Sequence, residues 1–127
     1  MAKFTWEHIH LKSPDPEATA TWYQDMLGAE IIRTPMADGT TRIDLNLGGQ
    51  AVFVAAVDPS KVGSPPTMPY LGMDHFGMTV PDIDVAVAEL KAKGVTFTMD
   101  PKTIRPGVRI AFLTAPQNVS IELIQRG

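Results

Sequence analysis

Three histidines, at positions 8, 10 and 75, are the side chains of this 127-residue chain whose proton chemistry lies nearest neutral pH. Imidazole binds divalent ions and moves protons, and carboxylates such as Asp44 and Glu122 can do both. The chain has no cysteine, which excludes disulfides, thiolate nucleophiles and zinc sites of the cysteine type. Any metal is therefore held by His, Asp or Glu. Two of the histidines have matching surroundings. Glu7-His8-Ile9-His10-Leu11-Lys12-Ser13-Pro14-Asp15 is echoed by Asp74-His75-Phe76-Gly77-Met78-Thr79-Val80-Pro81-Asp82, with the same offset of 67 residues from His8 to His75 and from Asp15 to Asp82.

The elements that must position these histidines repeat as well. Each Pro-Asp is followed by a helical pattern closed by glycine. In the first, Pro16 sits in the opening turn, Ala18, Trp22, Met26 and Leu27 keep helical spacing, and Gly28 ends the run. In the second, Asp82 is the expected cap, Ile83, Val87 and Leu90 recur at helical spacing, and Gly94 closes. Strand patterns follow over 29–36, 41–47 and 51–57, then over 95–99, 108–114 and 119–125. The chain thus reads as α+β, two β-α-β-β-β repeats in a single domain spanning 1–127. Repeat one covers about 4–57 and repeat two about 74–126, joined by a Pro- and Gly-rich linker at about 58–73. A second loop, Pro101 to Pro106, is expected to interrupt the last hairpin and lie over a site.

Alternation along strands sorts the side chains into faces. Ile9 and Leu11, Ile43, Leu45 and Leu47, and Phe76, Met78 and Val80 form the apolar sets that helices should cover. The opposite face then carries His8, His10, Arg42, Asp44, His75, Arg109 and Glu122. Two curved sheets would join these residues in one concavity, with Arg42 and Arg109 available to an anionic substrate group. A competing arrangement pairs Glu122 with Arg109 and leaves His75 a hydrogen-bonded core histidine. Trp22, Tyr23 and the seven methionines read as packing residues.

The composition is that of an ordinary globular chain: 44% hydrophobic, 20% charged and a net charge of -3, with both signs interspersed. No basic patch points to a nucleic-acid partner. No run approaches the roughly 18 apolar residues of a membrane span, and the first residues lack a signal-peptide core, so cytoplasmic residence is expected.

The paired His-x-x-x-x-x-Pro-Asp segments, the helix end Trp22-Tyr23-Gln24-Asp25-Met26-Leu27-Gly28 and the closing Val119-Ser120-Ile121-Glu122-Leu123 together resemble the vicinal oxygen chelate superfamily. That group includes glyoxalase I, bleomycin-resistance proteins and extradiol dioxygenases. The resemblance covers essentially the whole chain and implies a cup-shaped fold in which His8, His75 and Glu122 ligate one divalent ion. His10 shares a face with His8 and is the alternative first ligand; otherwise it is a candidate general base. Relatives of the glyoxalase I kind take a fourth ligand from the strand position matching Glu122, which counting from Gly49 against Asn118 makes Phe53. The remaining two histidines and one carboxylate suit Fe(II) or Mn(II), with Ni(II) or Zn(II) as alternatives, and leave about three coordination positions open. The expected function is a metal-dependent enzyme acting on a small chelating, oxygenated substrate by dioxygenase-type chemistry, with Arg42, Asp44, Phe53 and Arg109 in the substrate site. Alternatives are a glyoxalase I-like lyase or isomerase and a metal-free, ligand-sequestering protein. A homodimer is expected from two-unit relatives.

Overall fold

The computed structural model describes residues 2–127. These divide into two compact units, one running to Ser64 and one starting at Pro65. Unit one contains strand β1 (His8–Ser13), helix α1 (Pro16–Leu27) and strands β2 (Glu30–Pro35), β3 (Thr41–Leu47) and β4 (Gln50–Ala56). Its sheet has the order β1-β4-β3-β2, with β1 parallel to β4 and the other pairs antiparallel. Unit two repeats the series as β5 (Phe76–Thr79), α2 (Ile83–Ala92), β6 (Phe97–Arg105), β7 (Val108–Ala115) and β8 (Val119–Arg126). Its sheet, β5-β8-β7-β6, has the same topology. The expected β-α-β-β-β series is present twice. Between them, 59–61 forms a short 3-10 turn and the rest of 57–75 has no helix or strand. Among the described residues no helix is long and apolar enough to cross a membrane.

Local chemistry sets the helix ends. Asp15 accepts the Ala18 N–H at 3.1 Å ahead of Pro16, and Asp82 accepts the Val85 N–H at 3.2 Å. Gly28 stops α1 in a left-handed conformation at φ 72°, which a side chain with a Cβ adopts only at a cost.

Each helix seals one face of its own sheet. Beneath α1 lie Ile43, Leu45, Leu47, Val52 and Val54, all buried, while α2 places Ile83, Val87 and Leu90 over Ala111, Leu113, Ile121 and Leu123. Each large apolar side chain removed from water in this way contributes about 2 kcal/mol. The strand alternation expected for β3 and β8 is met.

Two expectations need correction. The buried stripe of α1 is Thr19, Ala20 and Tyr23, not Ala18, Trp22, Met26 and Leu27. A count of apolar spacing passes over a threonine, yet Thr19 is buried because its hydroxyl lies 2.7 Å from the Ser13 hydroxyl, itself fully buried. The expected loop from Pro101 to Pro106 is for the most part strand: β6 continues to Arg105. It does so by shifting register between Met99 and Lys102, a bulge that leaves Pro101 outside the ladder, where its missing N–H costs no hydrogen bond.

Tyr23 is fully buried, and among the described residues its hydroxyl has no hydrogen-bond partner. Burial pushes that hydroxyl above its ordinary pKa. Replacing Tyr23 by Phe removes the unpaired oxygen while keeping the ring, so urea unfolding should show a gain of about 1 kcal/mol. Tyr23→Ala should instead lose roughly 3–5 kcal/mol by opening a cavity. A loss in the Phe variant would mean that the hydroxyl has a partner.

Candidate metal centre

In unit two the face away from α2 brings His75 and Glu122 together. His75 immediately precedes β5, and its Nδ1–H donates to the Asp74 carboxylate at 2.7 Å. A carboxylate only accepts, so this bond fixes the tautomer and leaves the Nε2 lone pair free to bind. Nε2 lies 3.7 Å from Glu122 Oε2, too far for a hydrogen bond and close enough for both atoms to reach one ion. Two ligands at about 2.1 Å from a metal and at right angles stand about 3.0 Å apart, so a side-chain shift of under about one ångström would bring the pair to that spacing.

The sheet holds this pair from both sides. Glu122 on β8 lies opposite Gly77 on β5 and Phe112 on β7. Gly77 offers no side chain to crowd the carboxylate; even a Cβ there would lie 3.5 Å from Glu122 Oε1. The Phe112 ring meets His75 edge to face at 4.7 Å. Beside it opens a cleft of about 430 Å³ lined by Asp74, Thr98, Phe112, Thr114, Asn118 and Ser120. Its hydroxyl and amide groups suit an uncharged, oxygen-rich ligand.

Unit one presents the counterpart of one half of this arrangement. His8 opens β1, and its Nδ1–H is hydrogen-bonded to the carboxylate of Glu7, the same acid-then-histidine device as Asp74 and His75. His10 lies on the same face, 6.4 Å from His8 between ring centroids. The β1 register sets His10 opposite Phe53, as the β5 register sets Gly77 opposite Glu122, so Phe53 does occupy the place matching Glu122. Phe53 stacks on His8 with centroids 4.0 Å apart, and the Arg42 guanidinium stands 4.6 Å from the Phe53 centroid. Arg42 Nε donates to both oxygens of Asp44, at 3.1 and 2.9 Å. His8, His10, Arg42, Asp44 and Phe53 line a cleft of about 570 Å³.

Arg109 does not stand with Glu122. It pairs across the ladder with Gln125, whose side chain accepts the Ile83 N–H of α2, and its own Nη1 donates to Asp84 at 2.6 Å. Both contacts lie on the helix side of the sheet. That hydrogen bond holds the Asp84 carboxyl below its ordinary range. The physical reason is parity: Phe112 is the β7 residue facing Glu122, so Arg109, three positions earlier, falls on the other face. The competing Glu122–Arg109 pair is overturned by the same geometry. Arg42, Asp44 and Phe53 do share the open face with His8 and His10.

Among the described residues no group of three or more His, Asp or Glu side chains is so arranged that it could hold a metal ion. What unit two supplies is a pair with a supporting acid, and what unit one supplies is a single histidine with another. Glu7 and Asp74 as partners of the ligand candidates, and Phe112 beside His75, are absent from the expectations drawn from spacing. The acid before each histidine was the available signal, visible in both copies of the repeat.

Known proteins agree with this architecture. A model of the Glyoxalase/Bleomycin resistance protein/Dioxygenase superfamily matches residues 7–112. The uncharacterized protein YaeR of Escherichia coli strain K12 is 30% identical, over 94% of both chains. A probable chloroplastic lactoylglutathione lyase of Arabidopsis thaliana is 26% identical, over 94% of this chain and 35% of its own length. Among solved structures, TnmS3, an antibiotic binding protein from Streptomyces sp. CB03234, superimposes with a TM-score of 0.72 at 21% identity, covering 100% of this chain and 99% of that one. By its repeated strand order and by the family match over most of its length, the chain belongs to the glyoxalase/bleomycin resistance protein/dioxygenase superfamily.

Proposed function

We propose that the chain is a metal-dependent enzyme in which His8, His75 and Glu122 hold one divalent ion for reaction with a small, chelating, oxygenated substrate. The observation that carries this reading is the His75–Glu122 pair, 3.7 Å apart with Asp74 fixing the far side of the imidazole. The same acid-histidine device at Glu7 and His8 favours His8 over His10 as the remaining imidazole ligand. Two histidines and one carboxylate suit Fe(II) or Mn(II), and such an ion supplies open positions for a chelating substrate and a further small ligand.

The chain's own residues do the rest. Asp74 and Glu7 hold each Nε2 lone pair available for the ion. Phe112 and Phe53 provide apolar walls, and Thr98, Thr114 and Ser120 offer hydroxyl groups to an oxygenated ligand. His10, on the face of His8, is within reach of a proton on a ligand bound there. Arg42 is the only Lys or Arg among the described residues lining either cleft, and Asp44 neutralises it. That balance favours an uncharged or singly charged substrate over a multiply charged thiol conjugate. Phe53, in the place of a fourth ligand, favours dioxygenase-type chemistry with its need for open positions. A second reading, a lyase or isomerase using the ion as a Lewis acid, draws support from the lactoylglutathione lyase relative. A metal-free binding role draws support from the antibiotic-binding neighbour alone.

Each unit presents part of the ligand set, and we propose that a homodimer unites His8 of one copy with His75 and Glu122 of the other. Mixing His8→Ala chains with His75→Ala chains tests this. Neither variant alone should bind Mn(II), whereas hybrid dimers should regain one ion per dimer by equilibrium dialysis. Hybrids that stay empty while the unsubstituted dimer binds would rule out sharing between copies.

The reaction class is separated by oxygen electrode. The Fe(II)-loaded protein should consume oxygen with at least one member of a catechol panel and leave the hemithioacetal of methylglyoxal and glutathione unchanged. Turnover of the hemithioacetal without oxygen uptake would favour the lyase.

A further inference from the structure

Aromatic and acidic side chains have changed places between the two units. On the open face of unit one the acid, Asp44, lies on the third strand and the aromatic, Phe53, opposite it on the fourth. In unit two the aromatic, Phe112, lies on the third strand and the acid, Glu122, opposite it on the fourth. The fourth-strand residue is the neighbour of the histidine in each case. Unit two therefore sets a metal donor beside His75, and unit one sets a ring beside His8.

That ring is held in place. β4 lies between β1 and β3, so His8 reaches Phe53 from one side and Arg42 from the other. The His8 and Phe53 planes differ by 24°, a near-parallel stack, and Arg42 is anchored in turn by Asp44. The flanking Val52 and Val54 are buried, which ties the Phe53 backbone to the core. The Glu7 contact alone is a weak restraint, because Glu7 is 71% exposed and water competes for it. It fixes one edge of the imidazole and leaves the plane free to rotate.

We infer that Phe53 is a positioning residue for His8: stacked between His8 and the Arg42–Asp44 pair, it fixes the imidazole plane and so the direction of Nε2. This rests on the reading of His8 as a ligand. The site matching Glu122 is then no lost ligand position. It trades a fourth donor for control of the first one, leaving the ion short of protein ligands while keeping His8 ordered.

The test uses Phe53→Leu, which keeps apolar volume without a ring, and Phe53→Tyr, which keeps the ring. In metal-free protein, the His8 ring protons should resonate upfield in aromatic carbon-proton NMR because they lie over the Phe53 face. Phe53→Leu should move them downfield and Phe53→Tyr should not. Mn(II) affinity, read from the free-ion signal in electron paramagnetic resonance, should fall about tenfold in the Leu variant and be kept in the Tyr variant. Arg42→Met, a change at an exposed position, should move the same protons by a smaller amount and serves if Phe53→Leu fails to fold. His8 protons that ignore both substitutions would overturn the inference. So would shifted protons with unchanged Mn(II) affinity. Absence of Mn(II) binding in the unsubstituted protein would defeat the metal-site reading instead, with the shifts still deciding whether the stack exists.

Discussion

Burial of one sheet face under its own helix decides where every other side chain in each unit can go. Once Ile43, Leu45, Val52 and Val54 are committed to α1, the intervening residues Asp44 and Phe53 have only the opposite face available. The same holds in unit two, where burying Ile121 and Leu123 turns Glu122 outward between them. A carboxylate between two core side chains is accommodated because the alternation gives it an open face. The cost of desolvating a charge keeps Asp44, Glu122, Arg42 and the histidines on that face, while Arg33 and Arg109 on the helix side are ion-paired with Glu17 and Asp84. The chemistry of this chain is thus a by-product of how its cores pack.

The repeated unit supplies two copies of that open face, and they carry different side chains. Both keep a histidine at the start of the first strand and both keep an acid before it, bonded to Nδ1. They differ at the fourth strand, where Glu122 adds a donor and Phe53 adds a stacking wall. One face therefore sets a carboxylate beside its histidine and the other sets a ring. The Arg33–Glu17 and Arg109–Asp84 pairs each join a strand, the second in unit one and the third in unit two, to the first turn of the helix above it. On the covered faces these charge pairs tie helix to sheet.

Much of this was legible in the residues. The repeat, the helix cap at Asp82, the opening turn at Pro16, the glycine ends and the faces of β3 and β8 followed from spacing and turn chemistry, and the structure meets them. Two kinds of information were not. Arg109 was assigned to the open face because a strand with apolar residues at Ile110, Ala111, Phe112 and Leu113 has no clear alternation. Only the pairing of Phe112 with Glu122 sets its parity. Thr19 was missed because a buried hydroxyl looks polar until its partner, Ser13, is known. Pro101 looked like a loop because a bulge is defined by the partner strand, and a single strand does not display it. For the site, residue types and the place of Phe53 were readable. The ring stack and the supporting acids depend on side-chain direction, which spacing alone does not encode.

The central claim is that this chain binds one divalent ion through His75 and Glu122 with a histidine from the unit-one face. Elemental analysis of protein purified without added metal, beside its His75→Ala and Glu122→Gln variants, tests it most directly. Iron or manganese near one per chain in the unsubstituted protein, and a trace in each folded variant, is the expected result. A protein that stays metal-free after loading with Fe(II) or Mn(II), or variants that retain the ion, would contradict it.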